Sequence, residues 1–149
     1  MAAACAAAYP KNCRALITEA AHSFVEARTL KGVREAKRAF ARRGQLDRLK
    51  KYHGEKAAWV LSAWVDTWLS RDYRDWSLDG VLSRVRCPLL AFFGDSDEYG
   101  SKRQLERFAA LPSGPTLTKL LPGCGHVPHR EKPEAVLAAV KAFLATPGL

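Results

Sequence analysis

The stretch "LPGCGHVPHREKP" (residues 121–133) concentrates reactive side chains: Cys124 between two glycines, then His126, then His129. Three readings use such residues. Cys124, His126 and His129 could ligate a metal. His126 could be a general base carried on a loop. The stretch could also be a plain turn ahead of a helix that opens near Pro133. C-x-H-x-x-H is an uncommon ligand spacing and no fourth ligand lies nearby in sequence, which weakens the metal reading. Upstream, "GDSDEYG" (residues 94–100) supplies the carboxylates Asp95, Asp97 and Glu98. A carboxylate that accepts a hydrogen bond from an imidazole fixes its tautomer and stabilises its protonated form. The acid loop and the histidine loop therefore make chemical sense as partners, provided the fold brings them face to face.

The elements around these loops can do so. "CPLLAFFGD" (87–95) is a continuous apolar run closed by a glycine, the pattern of a strand buried on both faces. "SKRQLERFAALP" (101–112) predicts an amphipathic helix with Leu105, Phe108, Ala109 and Leu111 on its apolar side. "TLTKLLPG" (116–123) alternates and stops at Pro-Gly, as a strand does. "KPEAVLAAVKAFL" (132–144) predicts a closing helix with Pro133 in its first turn and Val136, Leu137, Val140 and Leu144 on one face. Strand, helix, strand, helix implies crossover connections and a mostly parallel sheet. In such sheets the chemistry sits in loops beyond the carboxyl ends of the strands, which is where both loops fall.

The first half of the chain is mostly helical in pattern. "MAAACAAAYP" (1–10) predicts a small-residue helix that stops before Pro10 and must pack closely against something. It lacks the basic start and apolar core of a secretory signal and the early arginines of a transit peptide. "RALITEAA" (14–21) is strand-like, and from His22 to about Ser77 the periodicity is helical. Within it, "KAAWVLSAWVDTWL" (56–69) sets Val60, Ala63, Trp64, Thr67 and Trp68 three and four apart. Such a stripe serves as core or, in a lid, as the wall of an apolar substrate pocket.

Composition sets outer limits. The chain has 149 residues, 48% apolar and 26% charged, enough for one domain with a real core. No apolar run approaches the ~20 residues needed to span a bilayer, so a soluble protein without a membrane partner is expected. The four cysteines are scattered and form no C-x-x-C pair, which fits a reducing compartment, the cytoplasm or the mitochondrial matrix. The net charge of +9 is concentrated in residues 28–51, where Arg28, Lys31, Arg34, Lys37, Arg38, Arg42, Arg43, Arg48, Lys50 and Lys51 face only Glu35 and Asp47. A solvated helix face, with Leu30, Val33, Lys37, Phe40 and Leu46 marking an approximate apolar stripe beneath it, accounts for this run. A surface for nucleic acid, anionic lipid or an acidic ligand is the sharper alternative, although no nucleic-acid motif accompanies it.

Taken together, "CPLLAFFGDSDEYG" and "GCGHVPHREKPEAVLAAVKAFL" make the chain resemble the second half of an α/β-hydrolase-fold protein. The resemblance runs from about Arg14 to Leu144 and implies a partial α/β fold: a short, mostly parallel sheet flanked by helices, with a helical lid insertion. It implies residues 1–21 as core helix and strand, 22–80 as lid, and 81–149 as the core that carries the acid and histidine loops. By motif, Asp97 at the end of G-x-x-D corresponds to the triad acid and His126 to the general base. Cys124 and His129 become loop neighbours, and Glu131 a structural residue of the loop or helix start. No cofactor and no metal are implied, and the partner is a small-molecule substrate bearing an ester, amide, epoxide or carbon–carbon bond.

The family's nucleophile sits in a G-x-S-x-G elbow, and no such motif occurs in these 149 residues. The opening helix resembles the one that follows the elbow. Ser23, Ser62, Ser96 and Ser101 stand in no elbow, and Cys124, two residues from His126, is badly placed to serve it as a nucleophile. The expectation is a C-terminal hydrolase piece, inactive alone, with an open apolar edge at 14–21 that favours a companion chain or self-association. The alternative is a non-catalytic module that uses its basic helical face to bind anionic ligands.

Overall fold

The computed structural model describes residues 1–146. In chain order the elements are α1 (Ala2–Ala8), β1 (Leu16–Glu19), α2 (Ala27–Phe40), α3 (Gln45–His53), α4 (Ala57–Leu69), α5 (Asp79–Leu82), β2 (Leu89–Gly94), α6 (Lys102–Ala110), β3 (Thr116–Leu121), α7 (Pro128–Glu131) and α8 (Pro133–Leu144), with a single 3-10 turn at Gly54–Lys56. They fall into two units, one built from residues 1–24 and 77 onward and the other from residues 25–76.

The first unit is organised by β2. All six of its residues are buried. It pairs in parallel with β1 on one side, Leu16 opposite Leu89, and with β3 on the other, Leu89 opposite Thr116, giving the order β1-β2-β3. Because strand side chains alternate, β2 feeds two cores. Leu89, Ala91 and Phe93 pack with Ala3, Ala6, Leu16, Leu82, Leu105 and Phe108 on one face. Leu90 and Phe92 pack with Leu121, Cys124, Ala139 and Phe143 on the other. Burial on both faces explains why this strand reads as an unbroken apolar run.

The helices around this sheet pack partly as expected and partly on other faces. The small-residue helix α1 finds its floor inside this chain: Ala3 and Ala6 are buried among Leu16, Leu82 and Val85. Residues far away in sequence provide that seat, so local pattern does not reveal it. In α8 the packed face is Val136, Ala139, Val140 and Phe143, whereas Leu137 and Leu144 are exposed. The short α7 (Pro128–Glu131) ahead of α8 was not part of the expected pattern. In α6, Gln104 takes a core position that the pattern gave to Ala109, which is exposed. Gln104 Oε1 accepts hydrogen bonds from Ser23 N (2.8 Å), Ser23 Oγ (3.0 Å) and Phe24 N (3.3 Å), and its Nε2 donates to Phe24 O (3.1 Å). A buried amide is tolerated when its donors and acceptors are satisfied in this way.

The second unit is three helices with few buried side chains. Thr29, Gly32 and Val33 of α2 and Ala57 and Val65 of α4 are buried, and α3 has none. The α4 stripe is therefore rotated from the expected one: Ala63 and Thr67 are exposed, and Val65 lies inward. Trp68 does pack, edge-on to Tyr73 and Trp76, whose rings stack at 5.1 Å.

The carboxyl end of β2 holds the tightest backbone contact. A Cβ on Gly94 would strike the carbonyl oxygens of Cys124 and Gly125. Only glycine lets the acid loop lie this close to the histidine loop, and backbone cannot yield as a side-chain tip can. Gly94→Ala is expected to destabilise the fold by about 2 kcal/mol, read as a lower urea midpoint with an unchanged slope.

Candidate active site

The acid loop and the histidine loop are joined by backbone before any side chain is considered. Asp95 N donates to Leu121 O (3.1 Å) and Ser96 N to Cys124 O (3.0 Å). Gly123 N donates back to Asp95 Oδ1 (2.9 Å). Gly123 itself has φ +59°, a left-handed conformation that glycine adopts without strain. Asp95 is thus a loop fastener; the hydroxyl of Ser96 and the N–H groups of the facing loop hold its carboxyl below the usual range.

On this platform His126 Nδ1 lies 2.9 Å from Asp97 Oδ2. Asp97 is fully buried and His126 is one-third exposed. The other Asp97 oxygen accepts from Tyr99 N (2.7 Å) and Gly100 N (3.1 Å). Burial alone pushes this carboxyl up; the His126 hydrogen bond, the two backbone N–H groups and the His126 charge outweigh it, so it is held below its ordinary value. Burial likewise pulls His126 down, but the hydrogen bond and charge of Asp97, helped by Glu98 and Glu19, leave it raised. An ionised carboxylate can only accept, so Nδ1 carries the proton. In the neutral ring Nε2 is then the basic nitrogen.

The backbone around His126 is clamped by Glu131, which accepts from Gly125 N (2.6 Å) through one oxygen and from Val127 N (3.0 Å) through the other. The two N–H groups flank His126 in sequence and hold the Glu131 carboxyl below its usual range. Two further rings meet the imidazole: Tyr99 edge-on at 4.8 Å and His22 at 5.9 Å. His22 Nε2 lies 3.1 Å from Tyr99 O, so that nitrogen is the donor. His22 arrives there through Ala20, whose φ of +46° is strained for a residue with a Cβ.

The other residues of the opening motif go elsewhere. His129 N and Nδ1 both lie 2.8 Å from Glu19 Oε1 at the end of β1, a contact that ties the start of α7 to the sheet. Cys124 is buried in the second core, and desolvation pushes its thiol up, away from the thiolate a nucleophile needs. Among the described residues no three His, Cys, Asp or Glu side chains converge to hold a metal. Sequence reasoning passed over Tyr99, His22 and Glu19. The rule that chemistry gathers at strand carboxyl ends could have flagged Glu19 and His22; nothing marked Tyr99 beyond its place beside the acid.

Two predictions follow from this geometry. Asp97→Asn removes the charge that raises His126 and leaves the burial that lowers it, so the midpoint of the His126 ring in an NMR pH titration is expected to fall. In the parent protein the raised imidazole stabilises the fold fully below its unfolded value, near pH 6.5. That contribution is lost as pH rises through the higher folded value. The depressed Asp97 acts oppositely: its contribution holds at neutral pH and disappears as pH falls through its folded value. Separately, Glu131→Gln puts an amide N–H against one of the two backbone donors. The Gly125 and Val127 amides are expected to exchange with solvent about fivefold faster, a loss of about 1 kcal/mol locally.

Comparison with known proteins bears on the fold and the family. The model of the "Alpha/beta hydrolase family" matches residues 2–139. Among solved structures, a membrane phospholipase A described as a bacterial virulence factor superposes with a TM-score of 0.71 at 22% identity, over 96% of this chain and 52% of that one. NosK from Streptomyces actuosus gives 0.71 at 20%, over 95% and 62%. A serine hydrolase involved in carbazole degradation gives 0.69 at 17%, over 96% and 58%. At these identities the likeness speaks for the fold, and this chain spans only about half to three-fifths of each relative's length. No curated protein matches the chain. With the match covering nearly all its residues, the chain belongs to the alpha/beta hydrolase family.

Proposed function

We propose that His126 is the general base of a hydrolase site and Asp97 the acid that orients it. The observation that carries this reading is the 2.9 Å contact between His126 Nδ1 and a fully buried, ionised Asp97. In the proposed reaction, Nε2 takes the proton from a serine hydroxyl, or from water after an aspartate nucleophile, as that oxygen attacks the substrate. The imidazolium so formed is stabilised by Asp97 and then hands its proton to the leaving group. The substrate is a small molecule with an ester, amide, epoxide or carbon–carbon bond to be cleaved.

The nucleophile and the oxyanion donors are proposed to come from outside these 149 residues. Two observations support this. No G-x-S-x-G occurs in the sequence, and this chain covers only 52% and 62% of two similar solved structures. The edge of β1, where Ile17 is partly exposed, is the proposed place for that segment to pair, whether it belongs to the same polypeptide, a companion or a second copy. Residues 22–80, which include the compact unit 25–76, are proposed to serve as the lid. Among the described residues no helix is long and apolar enough to cross a membrane. The four cysteines are free thiols, which supports a reducing compartment such as the cytoplasm or mitochondrial matrix.

The isolated chain is expected to give neither labelling by a fluorophosphonate probe nor turnover of p-nitrophenyl esters. Labelling or turnover that His126→Ala abolishes would overturn the assignment of the nucleophile to another segment. Joined to a segment that carries a nucleophile elbow, the chain is expected to gain activity. There, His126→Ala should cost about a hundred- to ten-thousandfold in kcat/KM. An unchanged rate would overturn the base assignment.

A further inference from the structure

The unit of residues 25–76 carries an open groove of about 320 Å³, lined by its own residues, most of them on α2, α3 and α4. Phe40 and Leu46 from α2 and α3 and Ala58, Leu61 and Val65 from α4 form apolar walls. Ala41, the Ser62 hydroxyl, Lys37 and Asp66 complete the lining, with Lys37 Nζ 3.6 Å from Asp66 Oδ1 and both of those charged side chains more than half exposed. The volume lies at the lower end of the range for small-molecule sites, large enough for a short alkyl chain. Phe40, Leu46 and Leu61 remain half-buried, so the walls hold apolar surface that water still reaches.

The surroundings select a charge. Residues 28–51 carry ten cationic side chains against two carboxylates. Lys37 is the one of these cations that lines the groove. Its contact with Asp66 is a solvent-exposed ion pair, which contributes little and exchanges readily with another anion. A field of this sign raises the local concentration of anions and repels cationic amphiphiles.

We propose that this groove binds a single medium-chain amphiphile with an anionic headgroup, its alkyl chain against Phe40, Leu46 and Leu61 and its headgroup on Lys37. The chain length follows from the volume and the headgroup from the charge. This site is separate in residues from the Asp97–His126 pair and does not depend on the hydrolase reading.

The test is calorimetric titration of the full chain with sodium decanoate below its micelle concentration, beside decanol and decyltrimethylammonium. Saturable one-to-one binding of decanoate is expected, weaker for decanol and weakest for the cation. Lys37→Met should weaken decanoate about fivefold. Asp66→Asn, which removes the competing carboxylate, should strengthen it. Ala58→Leu, which fills part of the groove from an exposed helix position, should weaken decanoate and decanol alike by about tenfold. All three positions are on the helix surface, and circular dichroism would check that the variants stay folded. Absence of saturable binding, equal affinity for the cation, or indifference to Ala58→Leu would each overturn the proposal. Binding seen only with anionic vesicles or nucleic acid, and not with monomeric decanoate, would also overturn it by assigning the charge to a surface role.

Discussion

The close approach of two backbones at Gly94 is the constraint on which the site depends. A strand buried on both faces cannot shift sideways without emptying one of its cores, so β2 delivers the acid loop to a fixed place. Gly94, at its last position, has no side chain to hold the histidine loop away. The two loops then bond through Asp95, Ser96 and Gly123, and the gap between Asp97 and His126 is set by main chain. A carboxylate–imidazole pair held by main chain keeps its distance through side-chain fluctuations, which is what orientation of an imidazole demands.

That geometry also resolves an electrostatic cost. A carboxylate removed from water is expensive unless its lone pairs are satisfied. Asp97 meets the requirement in two halves. The N–H groups of Tyr99 and Gly100 are permanent donors, while His126 supplies a third hydrogen bond whose strength depends on its own charge. With the backbone donors always present, Asp97 remains ionised when His126 is neutral. The proton therefore stays on Nδ1, and Nε2 is left as the basic nitrogen. Glu131 performs a similar service one level out, because its carboxylate holds the peptide on either side of the ring. Among the carboxylates in this region, Asp97 bonds the imidazole, whereas Asp95, Glu131 and Glu19 fasten loops.

Much of this was legible in sequence, for identifiable reasons. Strand β2 declared itself because double burial demands unbroken apolar residues, and β3 because Pro-Gly ended it. The rule about strand carboxyl ends then pointed to the two loops and to His126, and the resemblance to the hydrolase family singled out Asp97 among the three carboxylates of the acid loop. What escaped depended on contacts between distant parts of the chain. Gln104 looks like a surface residue in α6 and becomes core only because the segment after β1 presents unpaired N–H groups to it. Leu137 and Leu144 satisfy helical periodicity but fall on a side of α8 that nothing described here covers, while alanine and phenylalanine do the packing. Tyr99 and His22 converge on His126 from two different loops, and no spacing along the chain encodes that.

The two units also differ in what stabilises them. In the sheet unit, side chains from every layer are buried, so opening it requires exposing two cores at once. In residues 25–76 only a few small side chains are buried, and α3 has no buried residue. Two successive helices there carry like charges that repel one another, with only scattered exposed pairs such as Lys31–Glu35 and Lys50–Asp47 in relief. Local opening should therefore be cheaper in this unit than in the sheet. The same repulsion means that any anion that settles among these cations relieves a strain already present. Affinity for negative charge and low intrinsic stability thus have one origin, the density of arginine and lysine on α2 and α3.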